Sequence, residues 1–219
     1  LVGPSGAGKT TIVQLLLRFH EPAEGAITVD GAPLARVPRA SIRSVTGTVL
    51  QQPFLYSKRL RDNIVAGMEA GAADDARIAA AAGTACIHEA ILAFPEGYAT
   101  MVGEKGLTLS GGQRQRVAIA RALVREPRLL ILDDALSAVD AHTEASILAA
   151  LRARAARQTR IIVTHRLSAV VDADLILVID GGRVIQRGTH AELAQQPGLY
   201  RTLWEIQHLS DAELEALDA

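Results

Sequence analysis

The chain has 219 residues, of which 49% are hydrophobic, and a formal net charge of −1 at pH 7. This length and composition allow one large domain or two smaller lobes, and the near-neutral charge excludes a broad basic face for nucleic acid. The single cysteine, Cys86, excludes a disulfide framework within the chain and suits a reducing compartment. No run approaches the roughly 18 apolar residues that cross a bilayer, so no segment of the sequence is predicted to span a membrane.

The first predicted elements are a very short strand at residues 1–2, a glycine-rich loop and a helix over 11–18. Because a strand usually has about five or six residues, and no initiator Met is present, we expect further sequence upstream. A β segment at 26–31 ends in an Asp-Gly turn. The continuous apolar run at 45–50 is typical of a strand that is covered on both faces.

Helical signals dominate the next part of the chain, from residue 53 to about residue 125. Helical periodicity fits 74–94 and 112–125. The second helix is predicted to end just before Pro127, because the residue ahead of a proline disfavours helix. The next strand is predicted at 129–132, which indicates an α-helical lobe inserted into the main sheet.

The remaining pattern predicts a helix over 142–157, a strand over 161–164 and a hairpin over 175–186. The acidic tail over 210–218 is predicted to be a capped helix fragment that frays. Strands that alternate with helices indicate an α/β fold with a mostly parallel sheet and a flanking antiparallel β element.

The glycine-rich loop from Gly3 to Thr10 has the pattern Gly-x-x-x-x-Gly-Lys-Thr. The backbone N–H groups of such a loop surround phosphates, while the lysine reaches the terminal oxygens and the hydroxyl binds Mg²⁺. Lys9 and Thr10 are therefore predicted to bind a nucleoside triphosphate and its Mg²⁺. A guanine-specific switch is disfavoured, because no Asn-Lys-x-Asp string follows the loop.

Polar residues directly follow the predicted strands, at the ends where α/β sheets bind ligands. These residues are Gln51, Asp133, Asp134 and His165. Asp133 is predicted to hold Mg²⁺ directly or through water, with Gln51 as a second contact to the metal or the attacking water. Asp134 would position this water, and His165 would contact the γ-phosphate. The alternatives are a solvent-facing glutamine and a histidine with a structural role.

The string from Leu109 to Gln113 has two interpretations. Ser110 and Gln113 have the spacing of a capping box, which satisfies the first amides of a helix. Gly111 and Gly112 also leave the helix entrance without side chains, so that its amides and positive dipole end form an anion site. The chain would then have one nucleotide pocket and a second phosphate-binding surface. This second surface is predicted to complete the nucleotide site of a second cassette that packs head to tail against this one.

These motifs together resemble the nucleotide-binding domain of ATP-binding cassette (ABC) transporters, over residues 1 to about 207. The motifs are Walker A at 3–10, the Q-loop residue Gln51, the signature at 109–113, Walker B at 129–133, the D-loop at 137–140 and the switch residue His165. The resemblance implies that ATP and Mg²⁺ bind here. The implied phosphate contacts are Gly3, Pro4, Ser5, Gly6, Ala7, Gly8, Lys9, Thr10 and Thr11. The implied contacts to a partner's ATP are Leu109, Ser110, Gly111, Gly112 and Gln113, and Asp140 is implied at the interface between the cassettes. The implied contacts to Mg²⁺ at this chain's own site are Thr10, Gln51 and Asp133.

Finer features resemble the exporter branch, in which transmembrane helices precede the cassette on the same polypeptide. The segments with this resemblance are 54–57, 60–64, 100–106, 188–193 and 198–200. The implied domains are a P-loop NTPase core at 1–52 and 127–207, a helical subdomain at 53–126 and a tail at 208–219. A membrane domain upstream would place the cassette at the cytoplasmic face of the cell membrane, with a second cassette as its partner. A soluble ABC ATPase and a non-catalytic regulatory cassette stay open as alternatives.

Two positions depart from the family pattern. The family usually has Glu directly after the Walker B aspartate, whereas this chain has Asp134, whose carboxylate reaches about 1.5 Å less far. A misplacement of about 1 Å can cost on the order of a hundredfold in rate, so slow hydrolysis is predicted here. This resembles the degenerate site of heterodimeric exporters and favours a partner cassette that has Glu. Met101 stands where the exporter coupling loop often has Glu, which affects one contact with the membrane domain.

Overall fold

In its computed structural model the chain divides into two compact units. One unit comprises Leu1–Phe19 and Ile162–Ala219, and the other comprises His20–Ile161. The structure describes residues 1–69, 71–103, 108–154 and 158–217, with side chains up to residue 208. Among these described residues, no helix combines the length and apolar character that crossing a bilayer requires.

The helices and strands are numbered in chain order. The helices are α1 (Lys9–Leu16), α2 (Arg39–Ser44), α3 (Leu60–Ile64), α4 (Asp75–Thr84), α5 (His88–Leu92), α6 (Gly111–Leu123), α7 (Ala141–Ala153), α8 (His190–Gln195) and α9 (Leu199–Leu217). The strands are β1 (Thr28–Val29), β2 (Ala32–Pro33), β3 (Thr46–Val49), β4 (Leu129–Asp133), β5 (Thr159–Val163), β6 (Ile176–Asp180) and β7 (Arg183–Gly188).

The predicted α/β fold is confirmed. β4 lies between β3 and β5 in a three-stranded sheet, and β3 and β4 run parallel with Val49 opposite Leu132. Leu130 and Ile131 are fully buried, as expected for a strand that is covered on both faces. The pairs β1–β2 and β6–β7 are antiparallel hairpins, so both flanking β signals are also confirmed.

The helix predicted over 74–94 is wrong as a single element, because the chain turns between α4 and α5. Cys86 has a φ of 51°, in the left-handed region that ends a helix. The turn brings Ile87 and Ile91 into the core, where both are buried. The many alanines of this segment suit a continuous helix, so periodicity alone could not locate the break.

The acidic tail also differs from its prediction. No separate helix begins at residue 210, because α9 runs without interruption from Leu199 to Leu217. Residues 155–157 of the predicted helix over 142–157 lie outside the described residues, as do residues 104–106 of the predicted coupling loop and residues 218–219 of the tail.

In the unit that contains the phosphate loop, residues 1–2 act as the predicted short strand. Val2 forms a parallel bridge to Val178 of β6, and the Ile179 N–H donates to the Val2 carbonyl oxygen at 2.8 Å. The Thr164 N–H donates to the Leu1 carbonyl oxygen at 3.2 Å. The buried core of this unit comprises Val2, Leu167, Val170, Ile176, Val178, Leu193 and Tyr200.

In the other unit, Asn63 fixes the loop that follows the Q-loop residue. Asn63 is fully buried, and its amide bonds to the Tyr56 backbone on both sides, with Nδ2 donating to the carbonyl oxygen at 2.9 Å and Oδ1 accepting from the N–H at 2.9 Å. Arg121 of α6 donates to Asn63 Oδ1 at 3.0 Å and to the Phe54 carbonyl oxygen at 2.8 Å. This network holds the loop while the Phe54 and Tyr56 rings stay exposed in a T-shaped contact with centroids 5.1 Å apart.

Candidate nucleotide-binding site

The phosphate loop presents backbone N–H groups at the start of α1. Gly6 and Gly8 have φ values of 78° and 98°, in the left-handed region, and no side chain caps α1. A Cβ at Gly3 would collide with the carbonyl oxygen of Ile179, so the close passage of the loop against β6 requires glycine there. Successive N–H groups in a turn of this kind form a concave surface that suits an anion.

The Lys9 side chain folds back across this loop. Its Nζ donates to the carbonyl oxygens of Gly3 and Pro4, each at 2.7 Å. The Gly182 N–H, in the turn between β6 and β7, donates to the Ala7 carbonyl oxygen at 3.1 Å and supports the loop. The ammonium group therefore lies at the loop, where a phosphate oxygen can replace its carbonyl partners. The predicted contacts that are exposed are Pro4, Ser5, Gly6, Thr10 and Thr11.

His165 lies in the same unit as the phosphate loop, two residues after the end of β5, and is exposed. Thr164 Oγ1 accepts a hydrogen bond from the Arg166 N–H at 2.9 Å. The Gln207 side chain bonds to the His165 carbonyl oxygen at 2.6 Å and to the Leu167 N–H at 2.9 Å. The structure thus places the histidine at the surface on a segment whose backbone is held by several hydrogen bonds.

In the other unit the structure brings Gln51 and Asp134 together. Val49 and Leu132 pair in register, so Gln51 and Asp134 each lie two residues beyond a paired position. Nε2 of Gln51 donates to Oδ2 of Asp134 at 3.4 Å. Asp133, the last residue of β4, is only 2% exposed. This edge of the sheet therefore collects two carboxylates and an amide, whose oxygens are ligands that Mg²⁺ prefers.

The capping-box interpretation of the signature is confirmed. Ser110 Oγ accepts from the Gln113 N–H at 3.2 Å, and Gln113 Oε1 accepts from the Ser110 N–H at 2.9 Å. Leu109 is buried and Ser110 is exposed, whereas Gly111 and Gly112 are half-buried at the start of α6. The anion-binding interpretation stays a prediction, since Ser110 is exposed at this helix start whereas the two glycines are partly covered.

The D-loop packs against the start of α6. A Cβ at Gly112 would lie 2.7 Å from the carbonyl oxygen of Ala138, so glycine is required there by the D-loop itself. Gln115, which is 4% exposed, donates through Nε2 to Ser137 Oγ at 3.1 Å and accepts through Oε1 from the Ala138 N–H at 2.9 Å. Ser137 Oγ in turn donates to the Asp134 carbonyl oxygen at 2.9 Å. The signature helix, the D-loop and residue 134 therefore form one hydrogen-bonded arrangement.

Sequence reasoning missed Gln115. Ala118, Ile119 and Ala122 form the buried face of α6, and Gln115 lies on the same face one turn earlier. A polar side chain on a buried face needs hydrogen-bond partners, and this was the available signal. The sequence does not show that the partners lie 22 and 23 residues further along the chain.

Asp140 has a structural role at the start of α7. Its Oδ1 accepts a hydrogen bond from the Thr143 N–H at 2.9 Å, as the N-cap of the helix. Hydrogen bonds from the Thr143 backbone and then from its side chain lower the pKa of Asp140, which keeps this exposed carboxylate ionised. Its predicted place at an interface between cassettes is a separate expectation.

Replacing Gly112 by alanine is expected to destabilise the domain by about 1–3 kcal/mol, because the new Cβ would press on the Ala138 carbonyl oxygen. Gly111→Ala is the matched control, since its Cβ would lie 3.4 Å from the Ala138 Cβ and both variants gain similar helix propensity. Differential scanning fluorimetry of the full-length protein measures the two unfolding midpoints. Equal midpoints for the two variants would contradict this account of Gly112.

Comparisons with known proteins agree with this arrangement of motifs. A family profile described as ABC transporter matches residues 1–137. ATP-binding cassette sub-family B member 6 of Homo sapiens is 48% identical over 94% of this chain and 24% of its own length. An ATM1-type heavy metal exporter of Novosphingobium aromaticivorans is 46% identical over 98% of this chain and 35% of its own length.

A solved structure of a bacterial Atm1-family ABC exporter with ATP bound has a TM-score of 0.90 and 47% identity, and covers 94% of this chain and 36% of that one. This chain therefore spans only about a quarter to a third of the length of the curated relatives described above. The matched residues include Walker A, the Q-loop, the signature and Walker B. The chain belongs to the ABC transporter family, in which it corresponds to the ATP-binding domain.

Proposed function

We propose that this chain binds ATP with Mg²⁺ and hydrolyses it to power an exporter. The observation that carries this proposal is the phosphate loop, in which left-handed glycines and an uncapped helix start present N–H groups beside the Lys9 ammonium. Backbone amides and a lysine in this arrangement match the charge of a polyphosphate. Membership of the ABC transporter family supports ATPase activity in general terms.

The donor set fits Mg²⁺. Thr10, Gln51 and Asp133 offer a hydroxyl, an amide and a carboxylate oxygen, and Mg²⁺ selects such hard ligands. Within the described residues, no group of three or more His, Cys, Asp or Glu could hold a metal ion. A nucleotide-bound Mg²⁺ needs only one or two carboxylates, because the phosphates supply further oxygens. When bound, the ion neutralises charge on the β- and γ-phosphates.

The roles at the phosphates and the attacking water follow, with Gln51 acting at the metal and also on Asp134. Lys9 binds β- and γ-phosphate oxygens, while the backbone from Gly3 to Thr11 surrounds them. Asp134 orients the attacking water, and the Gln51 amide at 3.4 Å holds its carboxylate in place. His165 contacts the γ-phosphate and stabilises the charge that develops during in-line displacement, where catalysis is mainly positioning and electrostatics.

A second cassette completes the site. The segment from Leu109 to Gln113 contacts the nucleotide of the partner through the entrance of α6, and Asp140 lies at the interface. The D-loop contact at Ala138 supports this, because it holds the signature helix and the D-loop in one arrangement. A heterodimer is favoured, since the shorter Asp134 leaves this site slow and a partner cassette with Glu would supply the fast one.

The cassette works at the cytoplasmic face of the cell membrane, attached to its own membrane domain. The exporter names of the relatives and the small share of their length that this chain spans support this placement. Its functional division is an ATP-binding core at 1–52 and 127–207, a helical subdomain at 53–126 and a tail at 208–219. Exposed Met101 stands in the predicted coupling loop toward the membrane domain, and the rings of Phe54 and Tyr56 are exposed in the same helical subdomain.

Asp134 also favours a second function, a regulatory cassette that binds ATP and gates its partner with little hydrolysis of its own. The test uses the full-length protein, with its partner cassette, in lipid nanodiscs. We expect ATP binding and phosphate release that stops when EDTA removes Mg²⁺. Binding without release at this site, with the partner's site disabled, would assign the regulatory function, and absence of ATP binding would contradict both. Release of the protein from membranes by alkaline carbonate would contradict the exporter assignment.

A further inference from the structure

The side chain of Gln207 on α9 is bonded to the backbone on both sides of Arg166. Its Nε2 donates to the His165 carbonyl oxygen at 2.6 Å, and its Oε1 accepts from the Leu167 N–H at 2.9 Å. A side-chain amide used in this way replaces the peptide group of a neighbouring strand, since one donor and one acceptor meet the complementary groups of residues i and i+2. Gln207 thus fixes the peptide that carries the switch histidine.

The position of Gln207 is itself fixed by the packing of α9. Tyr200, which is 0% exposed, and the partly buried Leu203 pack in the core cluster that also contains Leu167. Gln207 follows Leu203 by four residues and Tyr200 by seven, so it lies on the same face of the helix. The Tyr200 N–H also donates to Gln186 Oε1 of β7 at 3.0 Å, which ties the start of α9 to the hairpin.

Other contacts restrain the residues on either side of the His165 carbonyl oxygen, to which Gln207 donates. Thr164 Oγ1 accepts from the Arg166 N–H at 2.9 Å, and Leu167 is 1% exposed in the core. These contacts hold the residues before and after the histidine. The orientation of the peptide between His165 and Arg166 depends on its carbonyl oxygen, and rotation of this peptide would turn the direction in which the imidazole points.

We propose that Gln207 is a positioning residue for His165. Through Gln207, α9 orients the imidazole toward the γ-phosphate. This inference rests on the proposed ATPase function and on the role of His165 in it. Gln207 lies outside residues 1–137, the part of the chain that the family profile matches. In this proposal α9 contributes to the catalytic arrangement, through Gln207, as well as to the fold.

The test measures steady-state ATPase kinetics of the full-length protein with its partner cassette, whose own catalytic carboxylate is neutralised so that only this chain's site turns over. Gln207→Met keeps the length of the side chain but removes both hydrogen bonds. We expect kcat to fall by about 10- to 100-fold, because a catalytic group displaced by about 1 Å costs a factor of this size. We expect KM for ATP to stay within about twofold, because the phosphate loop that binds ATP is unchanged.

Two further variants separate positioning from general stability. Gln207→Glu keeps an oxygen that accepts from Leu167, but it replaces the donor to the His165 carbonyl by a carboxylate oxygen that repels it, so it should reproduce the loss. Glu205→Gln, on the same helix, breaks only the exposed Arg201–Glu205 pair at 2.7 Å and should keep the wild-type rate, because exposed ion pairs contribute little.

A double-variant cycle decides the mechanism. If Gln207 acts through His165, Gln207→Met should lower the single-turnover rate of His165→Ala by less than about twofold. Independent, multiplying losses would overturn the proposal, as would wild-type kcat in Gln207→Met. A wild-type protein that binds ATP without hydrolysis would instead show that the proposed ATPase function has failed, so the two failures are distinguishable.

Discussion

Replacing Lys9 by alanine is expected to lower ATP hydrolysis by about 100- to 1000-fold and to weaken ATP binding by about 10- to 100-fold. Removing one preorganised donor to a developing oxyanion costs about 10²–10³ in rate, and losing a charged hydrogen bond in the ground state costs about 1.5–3 kcal/mol. Lys9 also donates to the carbonyl oxygens of Gly3 and Pro4, so the substitution removes these two hydrogen bonds from the phosphate loop as well.

The measurements are phosphate release and equilibrium binding of a fluorescent ATP analogue by the full-length protein, with the catalytic carboxylate of any partner cassette neutralised. Lys9→Arg tests whether charge alone is sufficient, and we expect it to be nearly as inactive, because a planar guanidinium cannot reproduce the compact ammonium between two carbonyls. Arg36→Ala is the control for the change in net charge, since Arg36 is exposed on a short 3₁₀ turn. Hydrolysis at the wild-type rate in Lys9→Ala would show that the phosphate loop is not the nucleotide site.

The sequence was a good guide where a local pattern determines the structure. Continuous apolar residues identified β3 and β4, and the parallel register then places Gln51 and Asp134 at equal distances beyond the paired residues. Their predicted proximity within this unit follows from strand geometry alone. The capping box of α6 is equally local, because Ser110 and Gln113 satisfy each other within a single helical turn.

The sequence was a poor guide where distant partners decide the role of a residue. Gln115 and Gln207 are both glutamines on the inner face of a helix, and each bonds to backbone or hydroxyl groups on a segment many residues away. The spacing of apolar residues shows that such a side chain faces inward, but not what it meets. Tertiary contacts therefore add two residues next to the predicted D-loop and switch histidine that motif matching does not reveal.

The residue after Walker B links local backbone geometry to catalysis. Asp134 has a φ of 51°, in the left-handed region that Asp adopts more readily than Glu. Its backbone is fixed there, because the carbonyl oxygen accepts a hydrogen bond from Ser137 Oγ at 2.9 Å. The same position must therefore satisfy two demands, a residue that tolerates this backbone and a carboxylate that reaches the attacking water. Aspartate meets the first demand better than the second.

Replacing Asp134 by glutamate should consequently move rate and stability in opposite directions. The added methylene extends the carboxylate by about 1.5 Å, so we expect hydrolysis at this site to rise by about a hundredfold. The less favourable left-handed conformation should lower the unfolding free energy by about 0.5–1 kcal/mol. Single-site turnover of the full-length protein, with the catalytic carboxylate of any partner cassette neutralised, measures the first effect, and thermal unfolding measures the second.

Asp134→Asn is the matched control for this change. It keeps the size of the side chain and its tolerance of the backbone, but removes the charge that orients water, so its rate should fall below that of the wild type. If Asp134→Glu leaves hydrolysis unchanged while Asp134→Asn lowers it, the wild-type aspartate already holds the water correctly, and the argument for a slow site and for a partner with Glu is lost. If neither substitution changes the rate, residue 134 does not act on the water, and the buried carboxylate of Asp133 at the same edge of the sheet becomes the next group to test.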